Sequence, residues 1–375
     1  MTANTIGVGI IGAGGWARYG HIPALRTQDE FELVALGSRR QDNADKLAAQ
    51  YDVRHAFGDY RDLVADPDVD LVVIPTPTPE HAGLVRAAIA AGKDVYSEWP
   101  LTTTTAESEE LLRLAEEKGV RHIVGLQRRF APSAAYAHDL IADGFVGTIR
   151  GVQMSVGVDA LAPAMPQSHA WSIDERNFTN LLAVYAGHFL DLLFHLVGPP
   201  TKLTAVTENQ FPTTTVIETG EKVPNTSAHE VMVIGTLEHG GLFSVQLEGG
   251  QARKTGLQIV ITGTDGVLRI TNPRAFQNEH ENTLEGMTGE ATTFSPLTIP
   301  DKYETLAHSG LDVSSQDAAY LYAAYARDRV NGTTTVSNFR DAVTLHRIID
   351  QITATSTAFF AAPDVTGSSV TEGDR

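Results

Sequence analysis

The run Gly9-Ile10-Ile11-Gly12-Ala13-Gly14-Gly15-Trp16-Ala17 constrains this chain more than any other stretch. An apolar strand ends and a helix begins there, with Gly12, Gly14 and Ala17 at the spacing G-x-G-x-x-A. The first glycine permits a tight turn, the second lets the backbone approach a pyrophosphate, and the small third residue allows close helix-to-strand packing behind a helix N-terminus that faces the anion. A glycine triplet alone is weak, but between a strand and a helix it predicts a dinucleotide site. The fingerprint also expects an acidic residue about 20 positions on, to hold a ribose 2′-hydroxyl. Here the second strand exits through Gly37-Ser38-Arg39-Arg40. With no carboxylate to repel a 2′-phosphate and two arginines to meet one, Ser38, Arg39 and Arg40 leave both NAD and NADP open, with a slight lean to NADP.

From residue 6 to about 125, short apolar runs alternate with helical periods: IGVGII, FELVAL, LVVI, DVYS and HIVGL are separated by helices from Ala17, over 43–50, over 80–91 and over 106–118. Gly or Pro at the strand exits makes these βαβ units of a doubly wound parallel sheet. Open parallel sheets bind ligands outside the carboxyl ends of their strands. Two exits should therefore line the crevice: Pro75, Thr76, Thr78 and His81 in PTPTPEH, and Glu98 and Trp99 before Pro100. From about 149 the texture changes to longer alternating segments (IRGVQMSVGV, EVMVIGTLE, GLFSVQLEG, LQIVITG, GVLRI) with Gly-Gly and Asp-Gly turns, as in an antiparallel sheet. Helices are expected at 181–197, 315–330 and 338–360, the last packing back on the first domain. The expected division is 1–127, 128–362 and a polar disordered tail, 363–375.

The balance of 28 basic against 46 acidic residues, −18 net, argues against nucleic acid or an anionic membrane as partner, since both attract a concentrated positive field. With no cationic-then-apolar leader and no apolar run of about 18 residues, neither a signal peptide nor a spanning helix is expected, and the cytoplasm is the default location. The absence of cysteine removes disulfides and thiolate chemistry, leaving redox work to a bound cofactor. No metal site is expected, because His169, His188 and His195 lack the carboxylate spacing of zinc motifs.

Several runs together resemble the Gfo/Idh/MocA family of sugar and cyclitol oxidoreductases: GAGGWA at 12–17, TPTPEHA at 76–82, AAGKDVYSEWP at 90–100, VGLQRRFAP at 124–132, GTIRGV at 147–152, AGHFLDLLFHLVG at 186–198 and GTDG at 263–266. The resemblance implies an N-terminal Rossmann domain with a doubly wound parallel sheet. A C-terminal α/β domain would follow, with a large, mostly antiparallel open sheet carrying substrate contacts on one side and often an oligomer interface on the other. It places Gly12, Gly14, Gly15, Trp16, Ala17 and Gln127 at the cofactor. GEKVPNTSAHE at 220–230, GTLEHGG at 235–241, EGGQARK at 248–254 and the Glu98-Trp99 pair are similar to the fungal galactose-pathway repressor branch, which uses this fold as a dinucleotide-binding regulator. The chain departs from the family where chemistry is concentrated. The lysine of its E-K-P motif falls on Trp99, the asparagine of N-x-R-F on Gln127, and the aspartate and glycine of D-x-G-x-H-x-x-D on Val184 and Ala186; His188 and Asp191 remain.

On the helix 181–197, Val184, Tyr185, His188 and Asp191 are three or four positions apart and share a face. Oxidising a sugar hydroxyl needs a base, and imidazole titrates in the right range, so His188 is the candidate base, with Asp191 orienting it or holding a hydroxyl and Tyr185 beside them. A histidine on an apolar helix is ordinarily a satisfied core residue; the family match sets this one apart. Trp99 cannot transfer a proton, but its flat face suits carbohydrate C–H surface, with Arg128 nearby and Trp171 as the other wall. Three functions follow: an oxidoreductase acting on a secondary hydroxyl of a sugar or glycoside with tightly retained NAD or NADP; an NAD-dependent glycosidase using transient C3 oxidation, elimination, water addition and re-reduction; or a nonenzymatic dinucleotide-dependent sensor. A homodimer or homotetramer is expected, because strands between 229 and 270 offer a sheet face that the helices leave open.

Overall fold

The computed structural model describes residues 5–12, 14–275 and 281–356; the expected tail lies outside them. The strands are β1 Ile6–Ile11, β2 Phe31–Gly37, β3 His55–Phe57, β4 Leu71–Ile74, β5 Asp94–Glu98, β6 His122–Gly125, β7 Ile149–Gly157, β8 Ala164–Met165, β9 Pro200–Glu208, β10 Thr213–Val216, β11 Lys222–Pro224, β12 Glu230–Leu237, β13 Leu242–Glu248, β14 Gly256–Gly263, β15 Gly266–Asn272, β16 Thr283–Thr288 and β17 Ser295–Pro296. The α-helices are α1 Ile22–Arg26, α2 Gln41–Gln50, α3 Tyr60–Ala65, α4 Thr78–Ala90, α5 Thr105–Lys118, α6 Pro132–Ala142, α7 Gly187–Val197, α8 Val313–Asn331 and α9 Phe339–Ser356.

The first six strands form one parallel sheet in the order β3-β2-β1-β4-β5-β6. All of β1 and β4 is buried, which is why IGVGII and LVVI read as unbroken apolar runs. The order reverses between β1 and β4, and that switch point opens a crevice at the carboxyl ends. Helix α5 illustrates how local signals place an element. Its N-cap Thr104 accepts from the Glu107 N–H, and Gly119 closes it in the left-handed region at φ 71°.

The second sheet is open and eight-stranded, β17-β16-β15-β14-β7-β13-β12-β9, antiparallel except for the β7–β13 pair. A small sheet, β11-β10-β8, flanks it. The stretch Glu175–Val197, which ends in α7, is long and apolar enough to cross a membrane by length and composition, but it is mostly buried inside the protein. The outer face leaves Met232, Ile234 and Leu242 exposed. Two helices from the end of the chain return to the first sheet. Helix α8 adds Leu321, Tyr322 and Tyr325 to the core around β1, and α9 packs against α5 and β6 as well as β9.

Candidate functional site

Three adjoining hollows run along the carboxyl ends of the parallel strands. The first, about 430 Å³, is lined by Gly12, Gly14, Ser38, Arg39, Pro75 and Thr76, together with Asp59, Tyr60 and Arg61. The second, about 520 Å³, takes in Thr76, Thr78, His81, Glu98, Trp99, Trp171 and Tyr185. The third, about 380 Å³, is bounded by Trp16, Tyr19, Glu98, Trp99, Gln127, Arg128, Tyr185, His188, Ser314 and Asp317. Residues named from sequence thus meet along one cleft, while Gly15, Ala17, Arg40 and Asp191 line none of these hollows.

The first hollow has the shape a dinucleotide needs. Gly12 has φ +104°, and a Cβ there would lie 2.7 Å from Thr76 Cγ2; Gly14 faces open space, and Ala17 is fully buried beneath the turn. Further along, Thr76 Oγ1 and Gln127 Oε1 are buried without a partner among the described residues, as expected of groups awaiting a polar ligand. These features fit a bound NAD or NADP. Arg39 reaches the hollow, where it sits 3.5 Å from Glu80. His81 is a brace: its ring nitrogens lie 2.7 Å from the Thr76 carbonyl and 2.8 Å from that of Pro100, and burial lowers its pKa, so the neutral ring donates to one at a time.

Glu98 belongs to a network that sequence reading missed. His21 Nε2 lies 3.1 Å from Glu98 Oε1, and the other ring nitrogen is 2.8 Å from Tyr322 Oη. Burial alone would raise the Glu98 pKa, but His21 and Trp16 beside it bring it below its usual value. Glu98 therefore remains a carboxylate in the cleft.

Trp99 is 5% exposed and locked into the second domain. Its indole N–H donates to the Ala183 carbonyl at 2.8 Å, and the ring packs on His346 at 5.0 Å. The segment Leu181–Ala186 is wound as a π-helix, a distortion that arises where a foreign donor enters the helical ladder. A Cβ on Gly187 would sit 2.2 Å from the indole nitrogen, so glycine there is what admits the tryptophan.

The π-turn carries Val184 and Tyr185 into the cleft, followed by His188, which is 6% exposed. Burial, reinforced by the Arg128 cation and opposed by Glu98, pushes the His188 pKa down to about 3. The expectation that His188 titrates near neutrality is therefore not met: the imidazole is neutral throughout the ordinary pH range. Burial pushes Tyr185 up to about 12, so its hydroxyl keeps its proton, and lowers Arg128 to about 10, so it stays a cation. Asp191 does not orient His188. Arg129 holds its carboxylate instead, Nε donating to Oδ2 at 2.9 Å and Nη2 to Oδ1. At the outer edge Trp171 is 41% exposed, anchored through its N–H to the Ser168 carbonyl at 3.0 Å.

Tyr19, His21, Ser314, Asp317 and Tyr322 were not foreseen. Tyr19 and His21 follow the glycine turn closely enough to be guessed, whereas the other three arrive on α8, almost 300 residues away, with no local signal. One cluster with metal-ligand geometry, His55, Asp66 and Asp68, lies away from the cleft; Arg54 and Lys93 already contact it.

Comparison with known proteins agrees with this geometry. Residues 6–126 match the family model described as oxidoreductase family, NAD-binding Rossmann fold (GFO_IDH_MocA), and residues 132–272 match the Gal80p C-terminal domain. Dehydrogenase aclE of Aspergillus oryzae is 30% identical over 342 residues, 88% of this chain and 89% of that one. The chain belongs to the Gfo/Idh/MocA oxidoreductase family. Within it, the galactose/lactose metabolism regulatory protein GAL80 of Saccharomyces cerevisiae is 25% identical over 72% of this chain and 66% of its own length. Levoglucosan dehydrogenase in complex with NADH and levoglucosan shares the fold at TM-score 0.83 and 22% identity, covering 95% of this chain and 98% of that one. This Gfo/Idh/MocA member thus joins an NAD(P)-binding Rossmann domain to a Gal80-like second domain.

Proposed function

We propose that the protein is an NAD(P)-dependent oxidoreductase acting on a secondary hydroxyl of a sugar or glycoside. The observation that carries this reading is the meeting of Tyr185 and His188 with Glu98 and Gln127 in the third hollow. The bound nicotinamide would supply the hydride acceptor. His188 is unprotonated, though burial also makes it a weaker base than a free imidazole; as the C–H hydride leaves, the hydroxyl proton passes to its imidazole, leaving a carbonyl. The Glu98 carboxylate favours the imidazolium so formed. Tyr185 donates a hydrogen bond to the reacting oxygen, Trp99 excludes water, and Trp171 offers a sugar-stacking face. Arg39 and Ser38 accommodate a 2′-phosphate, which makes NADP acceptable alongside NAD.

The departure from the family at Trp99 motivates a second reading, NAD-dependent glycoside cleavage through transient oxidation. Its last step reduces a ketone and needs a proton, which the His188 imidazolium formed in the oxidation would return in place of the family's lysine. The test is mass spectrometry of the denatured protein for released NAD or NADP, followed by a sugar and glycoside panel read by both cofactor reduction and aglycone release. Retained cofactor with neither activity on any member would leave the regulatory role of the GAL80 relatives as the better account. We also propose that Met232, Ile234 and Leu242 on the outer sheet face are covered by a second copy of the chain.

A further inference from the structure

We propose that Asp317 and Arg128 form a hydroxyl-recognition subsite for a neutral polyol in the third hollow, in addition to Tyr185 and His188. The proposal rests on the functional reading above and adds a second point at which the sugar is held. Asp317 follows Ser314 by one turn of α8, and both line the hollow. Asp317 is 7% exposed, and its Oδ1 is buried with no hydrogen-bond partner among the described residues.

Two other buried carboxylates of the protein are engaged: Arg129 holds Asp191, and Asp328, three turns further along α8, accepts from Thr333, Thr335 and Val336. A buried carboxyl left without such partners costs stability, which is tolerable where a ligand completes it. Burial and the neighbouring Glu281 raise the Asp317 pKa well above the carboxylate range, while Arg128 acts in the opposite direction from within electrostatic reach. The Arg128 guanidinium lies over the Phe189 ring, 4.8 Å from its centroid, which limits where it can point.

The chemistry of the pair selects the ligand. Asp317, with its raised pKa, can accept or, when protonated, donate through its carboxyl, and a guanidinium only donates. A hydroxyl both donates and accepts, so it satisfies the pair in either protonation state of Asp317. A carboxylate or phosphate suits the pair only while Asp317 holds its proton, and an ammonium has no lone pair for Arg128. The nicotinamide carboxamide would also satisfy the pair, so the test separates cofactor from sugar.

Asp317→Asn and Asp317→Leu are compared with wild type by calorimetric titration of NAD and NADP, by thermal melting, and by KM and kcat over methyl β-glucoside, myo-inositol and their monodeoxy analogues. The subsite predicts unchanged cofactor affinity in both variants and melting temperatures equal to or above wild type. It also predicts a KM about tenfold higher in Asp317→Leu and nearer wild type in Asp317→Asn, with kcat changed less than KM. One deoxy analogue should lose affinity in wild type and lose nothing further in Asp317→Leu. Cofactor affinity that falls with Asp317→Leu would assign the pair to the carboxamide, and a lowered melting temperature in both variants would make Asp317 a structural brace; either overturns the proposal. Unchanged KM in Asp317→Leu overturns the subsite alone. A wild type that binds cofactor but turns over no sugar overturns the functional reading and the subsite with it.

Discussion

The two walls of the cleft are built on different terms. The Rossmann wall follows the general rules for holding a pyrophosphate: a positive-φ glycine at 12, open space at Gly14 and a buried alanine at 17. The opposite wall departs from the wider family's pattern, with an indole bonded into a π-turn, a glycine at 187 that makes room for it, and a histidine whose burial suppresses protonation. Binding a common cofactor tolerates little variation, whereas the reacting side can be rebuilt around a new side chain as long as the packing closes. The distinction predicts that changes to the second wall affect turnover and leave cofactor retention alone.

The largest expected effect is at His188. His188→Ala should lower kcat/KM by about 10²- to 10⁴-fold while the dinucleotide remains bound, measured by steady-state rates and released cofactor. Loss of both together would erase the distinction between the walls.

Next comes Trp99→Lys, which places an ammonium where an indole is anchored and breaks the bond to the Ala183 carbonyl. A stability loss of a few kcal/mol is expected in chemical denaturation. A stable and faster Trp99→Lys enzyme would instead mean that the site is a plain dehydrogenase lacking only its acid.

Acid should weaken the second wall. His188 and His195 are held at about 3 and His346 at about 4, chiefly by burial, whereas in the unfolded chain each takes a proton near 6.5. Their folded pKa values are depressed, so between those values the unfolded state binds more protons and stability falls as pH drops below about 6.5. Melting temperature against pH should show this slope, and His346→Phe, which removes one of the three groups, should flatten it. A slope unchanged by that substitution would contradict the assignment. The smallest effect belongs to the first wall: Arg39, largely exposed, should on replacement by Ala weaken NADP by a few-fold more than NAD. Equal losses would remove Arg39 from cofactor selection.

The parts of this molecule legible in the sequence were those whose signal is local. The glycine turn, the apolar runs of β1 and β4 and the alternation along β12 and β13 each follow from neighbouring residues. The crevice residues Thr76, Glu98 and Trp99 followed from topology, since strand ends at a switch point must line it. What stayed hidden depends on distant partners. The spacing of Asp191 from His188 on one helix did not show that Arg129 would capture its carboxylate, or that burial would keep His188 neutral. Helix α8 carries apolar and polar residues on several sides, so its pattern marked neither Asp317 nor Tyr322 as facing the cleft.

The most direct test of the account is the fate of a labelled hydrogen. A glycoside deuterated at its ring carbons is incubated with the protein and its retained dinucleotide, and the cofactor is released and weighed by mass spectrometry. Net oxidation predicts a one-deuterium mass gain on the nicotinamide in wild type, absent in His188→Ala although the same amount of cofactor is recovered. An unlabelled cofactor from wild type across the whole panel, with no aglycone released, would contradict the account.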